Sequence, residues 1–359
     1  MEANLPDKIN VMIAMRVDEA YKARVRAVAP GRIEVFDAWG DLIPEMREEW
    51  PERMMARNAS EPVEITRTPE EREAMIAAAD VVLCGVPFPR HLPHRATNLK
   101  WAHFTFAGTS NLGRRGQWWN TPFAVTSSRG YTGARPIAES VVAAAMMFAR
   151  RLDLAAVNSN PDFDAKVQPP VLSIEGKTIG IIGLGGIGAF VAQMCKGLGM
   201  RVVATRRSAT EVQQDVDGVD VLYPVEKTHD MLAESDFIAV CAMWTPETQG
   251  MFNEAAFDAC KPGAFFLNVA RGELVEDAAL IAALKSGRLA GAYLDVWPND
   301  FATLPDPELL ANPNVVITPH ISGQADTSHN FGAEVFLDNL QRFVNGEPLL
   351  NQIDFERGY

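Results

Sequence analysis

The run Gly183-Leu184-Gly185-Gly186-Ile187-Gly188 constrains this 359-residue chain more than any other feature. It lies between the apolar stretch TIGII, which reads as a buried strand, and AFVAQMCKGLG, which reads as a helix. In that setting each glycine has its own task. Gly183 permits the tight turn out of the strand, Gly185 lets backbone approach a pyrophosphate, and Gly188 lets the helix pack on the strand. The first turn of the helix offers N–H groups without intrahelical partners, and the positive end of its dipole, to an anion. The whole loop, Leu184, Gly186 and Ile187 included, is therefore a candidate dinucleotide cradle. Taken alone, the motif also fits a tight glycine turn in another α/β protein, such as a methyltransferase.

Strand and helix signals alternate on both sides of this loop. Before it, INVMIAM, ADVVLCG and LKWAHFTF read as strands and DEAYKARVRAVA as an amphipathic helix. After Lys177 come the strands KTIGIIG, RVVAT, DFIAVCA, AFFLNVA, GAYLDV and NVVITPH, with DAALIAALKSG as a helix among them. Such alternation implies parallel sheets with crossover helices. A long helix is expected over Pro136–Leu154, a loop over NSNPDFDAKVQPP, and a last helix over about Ala333–Asn345. The segment from about Asp41 to Thr68 mixes charge, Met and Pro and carries no pattern that assigns it.

Composition excludes several classes. Hydrophobic residues make up 47%, ample for two cores, and the formal net charge of −13 argues against a nucleic-acid partner. No apolar run reaches the roughly 18 residues of a membrane span. The stretch MEANLPDKIN lacks the charged-then-apolar pattern of a signal peptide, so a cytoplasmic protein is expected. Cys84, Cys195, Cys241 and Cys260 are not at metal or redox spacing, and His91 and His94 lie in a Pro-broken segment, so no metal is expected.

The ends of the later strands carry the chemistry, since ligands of open α/β sheets bind outside the carboxyl ends of strands. RVVAT ends in Arg206-Arg207-Ser208, where NAD sites place a carboxylate on the adenosine ribose. Guanidinium groups there would pair with a 2′-phosphate, so NADP is the preferred cofactor and NAD the alternative. A solvated basic loop would also explain them. Asn268-Val269-Ala270-Arg271-Gly272, Leu294-Asp295-Val296 and Thr318-Pro319-His320-Ile321 end three further strands. Hydride transfer to a 2-oxo acid needs a cation for the carboxylate and an acid for the developing alkoxide, roles suited to Arg271 and His320.

With GLGGIG, WTPETQG, NVARGELVE, GAYLDVW and NVVITPHISG in this order, the chain resembles the D-isomer-specific 2-hydroxyacid dehydrogenase family, over about Ala79 to Asn345. The resemblance implies an α/β fold of two Rossmann-like or flavodoxin-like domains with parallel sheets, the cofactor domain inserted into a split substrate domain. Residues 1–130 and 325–359 would bind substrate, and 131–324 would form the dinucleotide-binding Rossmann domain. It implies a glyoxylate/hydroxypyruvate reductase-like enzyme acting on a small 2-oxo or D-2-hydroxy acid. Arg271 would hold the carboxylate and carbonyl, His320 would be the acid/base, and the backbone of Phe106, Ala107 and Gly108 would bind the carboxylate. Asp295 would contact the nicotinamide amide, and Thr245, Ala270 and Gly323 would lie on the cofactor side. Asp300 stands where the family has Glu, and Phe301 replaces the following Pro; Asp300 is still the expected partner of His320. Trp244 stands where Leu is common, His103 reads as a core or satisfied polar residue, and Arg129 and Tyr131 fall in the expected hinge. The apolar run VVAAAMMFA points to a homodimer. Two other readings stay open: a formate- or phosphite-type dehydrogenase, which would place Gln at Asp300, and a cofactor-sensing, corepressor-like binding protein.

Overall fold

Short apolar runs between turns become the strands of two separate sheets in the computed structural model, which describes residues 7–108, 112, 117–129, 133–156, 171–326 and 331–356. Tyr131 and the expected loop at 158–170 lie outside the described residues. The chain divides into two compact units, Met1–Thr132 with Asp326–Tyr359, and Gly133–Ala325.

The first unit holds a five-stranded parallel sheet: β1 (Ile9–Ala14), β2 (Ile33–Asp37), β3 (Val81–Cys84), β4 (Trp101–Phe104) and β5 (Ala124–Ser127), in the order β2-β1-β3-β4-β5. That is the flavodoxin-like order. β1, β3 and β4 are buried along almost their whole length and largely apolar, because a parallel strand is covered on both faces. The edge strands β2 and β5 were not legible, being partly polar (IEVFD, AVTS). The C-terminal helix Phe331–Asn345 belongs to this unit. Phe336 and Leu340 are buried, the Phe336 ring stacks on Trp101 at 5.1 Å, and Tyr21 Oη donates to Ala333 O at 2.7 Å.

The unassigned segment forms helices over Trp39–Glu49 and Glu52–Asn58 and then an extended stretch tied down by one buried carboxylate. Asp41 accepts from the N–H groups of Thr66 (2.7 Å) and Arg67 (3.0 Å) and pairs with the Arg67 guanidinium. Burial alone would raise its pKa; the Arg67 side chain and these two N–H groups outweigh that and hold it below the usual range.

The second unit holds an eight-stranded sheet of β6 (Thr178–Ile182), β7 (Arg201–Thr205), β8 (Gln213–Val216), β9 (Val219–Tyr223), β10 (Phe237–Val240), β11 (Ala264–Asn268), β12 (Leu289–Leu294) and β13 (Val315–Ile317). The order is β13-β12-β11-β10-β6-β7-β9-β8, with only the β8–β9 pair antiparallel. β6 lies between β10 and β7, so strand order reverses there, at the topological switch point where ligands of such sheets bind. The hairpin β8–β9 was not anticipated. Asp217 and Gly218 close it with φ of 53° and 80°, the positive values a type I′ turn requires. The long helix runs Ala134–Ala149, shorter than the expected Pro136–Leu154, since Arg151 takes a φ of 55° and the helix continues only as a short second piece, Leu152–Ala156. Its Phe148 ring stacks on Phe265 at 5.0 Å.

His103 is fully buried in the first unit. Nδ1 bonds Thr126 Oγ1 at 2.7 Å, and Nε2 bonds Ser128 Oγ at 3.0 Å and Gly332 O at 3.3 Å. Burial holds its pKa down to about 3. The folded ring stays neutral where the unfolded one takes up a proton, so its share of stability is complete above the ordinary value of about 6.5 and is lost as pH falls from there. The unfolding free energy in urea, wild type minus His103→Gln, should therefore fall by roughly 1.4 kcal/mol per pH unit between about pH 6 and 4. A difference independent of pH would show that the ring is charged in the fold.

Candidate active site

The glycine loop leaves the buried strand β6 at the switch point. Gly183 has φ 96°, and a Cβ there would sit 2.9 Å from Ala242 Cα. A Cβ on Gly188 would meet Gly183 O at 2.4 Å, so the helix Gly186–Gly197 can approach the strand only through glycine. Gly185 differs: it is exposed, and a Cβ there would meet nothing within 4 Å. The Gly185 N–H turns back onto Gly183 O at 3.0 Å, so the open backbone at the helix N-terminus is that of Gly186 and the residues of the first turn. This is a cradle that a Cβ would fill, and it fits a pyrophosphate. Leu184 and Ile187 flank it half-buried, and the Leu184 N–H is used internally, on Thr205 O at 2.9 Å.

At the end of β7, Arg206 Nη1 pairs with Asp217 Oδ2 of the hairpin at 2.6 Å. Arg207 and Ser208 are exposed. Thr245 is buried after β10, its N–H donating to Thr248 Oγ1 at 2.8 Å, and Thr248 Oγ1 donates to Met243 O at 2.7 Å. Trp244 is buried as well, its Nε1 donating to Gln249 Oε1 at 2.7 Å.

β11 delivers Arg271. Asn268 shapes the turn, accepting from Ala270 N at 3.0 Å through Oδ1 and donating to Arg271 O at 3.0 Å through Nδ2. Arg271 Nη1 donates to Ala270 O at 2.6 Å. A Cβ on Gly272 would fall 1.9 Å from the carbonyl carbon of Trp297, so the Arg271 turn lies directly on the Trp297-Pro298 backbone that leads to Asp300.

β12 and β13 end side by side and are joined by Asp295, which is fully buried. Its Oδ1 accepts from Thr318 Oγ1 (2.6 Å) and Ile321 N (2.9 Å); its Oδ2 accepts from Ser322 N (3.0 Å) and Ser322 Oγ. The sequence reading placed this carboxylate on the nicotinamide amide. Four donors meet its two oxygens, and it organises the segment Thr318–Ser322. His320 sits in that segment with φ 54°, its N–H shared between Asp295 O and Thr318 O, both at 2.9 Å. Its Nδ1 lies 2.6 Å from Asp300 Oδ2, whose side chain is 9% exposed against 25% for the imidazole. Phe301 stacks on the same ring, centroids 5.3 Å apart and planes 9° from parallel. Gly323 follows, half-buried, near Gly133.

The second unit thus brings together Arg271, Asp295, Asp300 and His320 at the ends of β11 to β13, and the glycine loop with Arg206 at the ends of β6 and β7. Phe106, Ala107 and Gly108 belong to the first unit, where they follow β4 half-exposed, with the Phe106 ring 5.9 Å from Phe88. Sequence reasoning missed Asp217, Phe301 as a partner of His320, and the bracing donors Thr318 and Ser322. The pair Asp217-Gly218 was the available signal for the first.

Residues 142–322 match the model of the D-isomer specific 2-hydroxyacid dehydrogenase NAD-binding domain, and the chain belongs to that family. It is 38% identical over 174 residues to a glyoxylate reductase of Thermococcus kodakarensis, covering 48% of this chain and 50% of that protein. The glyoxylate reductase of Pyrococcus furiosus is 39% identical over 175 residues, 48% of this chain and 49% of that one. The chain thus spans about half the length of these curated relatives. Among solved structures, a D-isomer specific 2-hydroxyacid dehydrogenase from Xanthobacter autotrophicus in complex with NADPH and MES matches with TM-score 0.73 and 26% identity over 99% of this chain and all of that one. An NADPH-dependent glyoxylate/hydroxypyruvate reductase from Sinorhizobium meliloti shares the fold, with TM-score 0.75 and 22% identity over 98% of this chain and all of that one.

Gly272→Ala should force the Trp297–Pro298 backbone away and lower thermal stability by the equivalent of about 1–3 kcal/mol, read by calorimetry. An unchanged melting temperature would show that the two loops are not in this contact.

Proposed function

We propose that the protein is a nicotinamide-dependent oxidoreductase that interconverts a small 2-oxo acid and its D-2-hydroxy acid. The observation that carries this reading is the His320–Asp300 pair at the end of β13, in the same unit as the glycine loop. A bound nicotinamide supplies the hydride for reduction or accepts it in oxidation. Gly186 and Ile187 would hold its pyrophosphate through backbone N–H groups, with Gly185 leaving room for its approach. With Nδ1 committed to Asp300, proton exchange with the substrate oxygen falls to His320 Nε2, which donates in reduction and accepts in oxidation. Asp300 fixes the ring's orientation and tautomer. Arg271 is the carboxylate and carbonyl clamp, its planar fork matching two oxygens at once, and the backbone of Phe106 to Gly108 would bind the carboxylate as well. A carboxylate at position 300 supports hydroxyacid chemistry over formate oxidation, which transfers hydride without a proton shuttle. Thr245, Ala270 and Gly323 would line the cofactor side. Arg206, Arg207 and Ser208 would meet a 2′-phosphate, which supports NADPH over NADH, and glyoxylate or hydroxypyruvate is the substrate class this reading favours.

In this reading residues 1–130 and 325–359 bind substrate, residues 131–324 bind the dinucleotide, and the assembly is a homodimer in the cytoplasm. Among the described residues no helix is long and apolar enough to cross a membrane.

The test is a panel of 2-oxo acids with NADPH and NADH, followed at the nicotinamide absorbance. The wild type should turn over at least one short 2-oxo acid. Arg271→Lys should lose about ten- to a hundredfold in kcat/KM, the equivalent of a charge-assisted hydrogen bond worth about 1.5–3 kcal/mol. Absence of turnover across the panel, or Arg271→Ala kinetics equal to wild type, would overturn the assignment. Asp300→Asn should lower kcat while leaving the dissociation constant for NADPH, measured by fluorescence titration, within about twofold; a kcat equal to wild type would remove Asp300 from the mechanism.

A further inference from the structure

Arg206 is not an open cation. Its Nη1 is paired with Asp217 Oδ2 at 2.6 Å, and its Nε is buried and makes no hydrogen bond among the described residues. The partner comes from the tip of the β8–β9 hairpin, an antiparallel appendage to an otherwise parallel sheet. Arg206 N also donates to Tyr223 O at 3.3 Å, so the hairpin and the end of β7 are held together by backbone as well as by charge.

A ribose 2′-phosphate approaching Arg206 therefore meets a carboxylate already on the guanidinium. It must share or displace that carboxylate, and it is repelled by it until it does. NADH has no such group and meets neither cost. We propose that Asp217 sets cofactor selectivity, competing with the 2′-phosphate for Arg206 so that the enzyme keeps the use of NADH alongside NADPH. This rests on the reading of Arg206 as the 2′-phosphate contact.

The position allows a clean test, because Asp217 also has a conformational task. Its φ of 53° suits Asp, Asn or Gly, and Asn ahead of Gly218 is the strongest type I′ sequence. Asp217→Asn thus removes the charge and keeps the turn. Two measurements apply to wild type, Asp217→Asn, Arg206→Ala and the double variant: binding of 2′,5′-ADP and of 5′-AMP by calorimetry, and the ratio of kcat/KM with NADPH to that with NADH. A half-exposed ion pair of this kind is worth a factor of about two to five. Asp217→Asn should tighten 2′,5′-ADP binding by about that factor, leave 5′-AMP unchanged, and raise the NADPH/NADH ratio in step. The gain should vanish in the Arg206→Ala background. Weaker 2′,5′-ADP binding in Asp217→Asn would mean that Asp217 orients Arg206 for the phosphate, and unchanged binding that it does not compete; either overturns the proposal. If Arg206→Ala alone leaves 2′,5′-ADP binding unchanged, the 2′-phosphate reading of Arg206 fails first and takes the proposal with it.

Discussion

The candidate site depends on one buried carboxylate. Asp295 carries a charge with no surface exposure, a costly placement unless hydrogen bonds replace water. Four donors from Thr318, Ile321 and Ser322 do so, and charge-assisted bonds of this kind are the strong ones. Their effect is geometric. They draw the segment after β13 against the end of β12 and hold His320 at a positive φ that a non-glycine residue rarely adopts. The imidazole, its Asp300 partner and the Phe301 face are all placed by that segment and by the loop that Gly272 packs against.

The departure at position 300 has a structural answer. Asp has one methylene fewer than the Glu usual in the family, yet the carboxylate still reaches His320 Nδ1 at 2.6 Å. Phe301, standing in place of Pro, lies flat on the same imidazole. The ring is thus held at its edge by a charge and on its face by an aromatic plane, which restricts its rotation more than either contact alone.

What was legible in the residues follows from what kind of signal each part carries. The glycine loop and strands β1, β3, β4, β6, β7 and β10 to β13 are visible because parallel strands need continuous apolar runs and because the turn at Gly183 and the contact at Gly188 admit nothing larger. The hairpin β8–β9 escaped because QQDV has no apolar alternation, although Asp217-Gly218 marked the turn. Residues 41–68 escaped because Pro44 interrupts the helical spacing of Leu42, Ile43 and Met46, and because the stretch after Asn58 is fixed by the long-range anchor of Asp41 on Arg67. His103 was read correctly as a satisfied polar residue. The bracing role of Asp295 was illegible, since nothing in the motif GAYLDV says which neighbour its carboxylate meets.

Asp295 braces the segment that carries His320, and a substitution there reads what that bracing does for catalysis. The direct measurement is Asp295→Asn, with the NADPH dissociation constant read by fluorescence titration and kcat read with a 2-oxo acid that the wild type reduces. The amide would force a donor against donors at Ser322 or Ile321 and loosen the segment. NADPH binding should stay within about twofold of wild type and kcat should fall by about tenfold or more, the equivalent of about 1.4 kcal/mol in the barrier. NADPH binding weakened by that factor with kcat unchanged would contradict this role and put Asp295 on the nicotinamide.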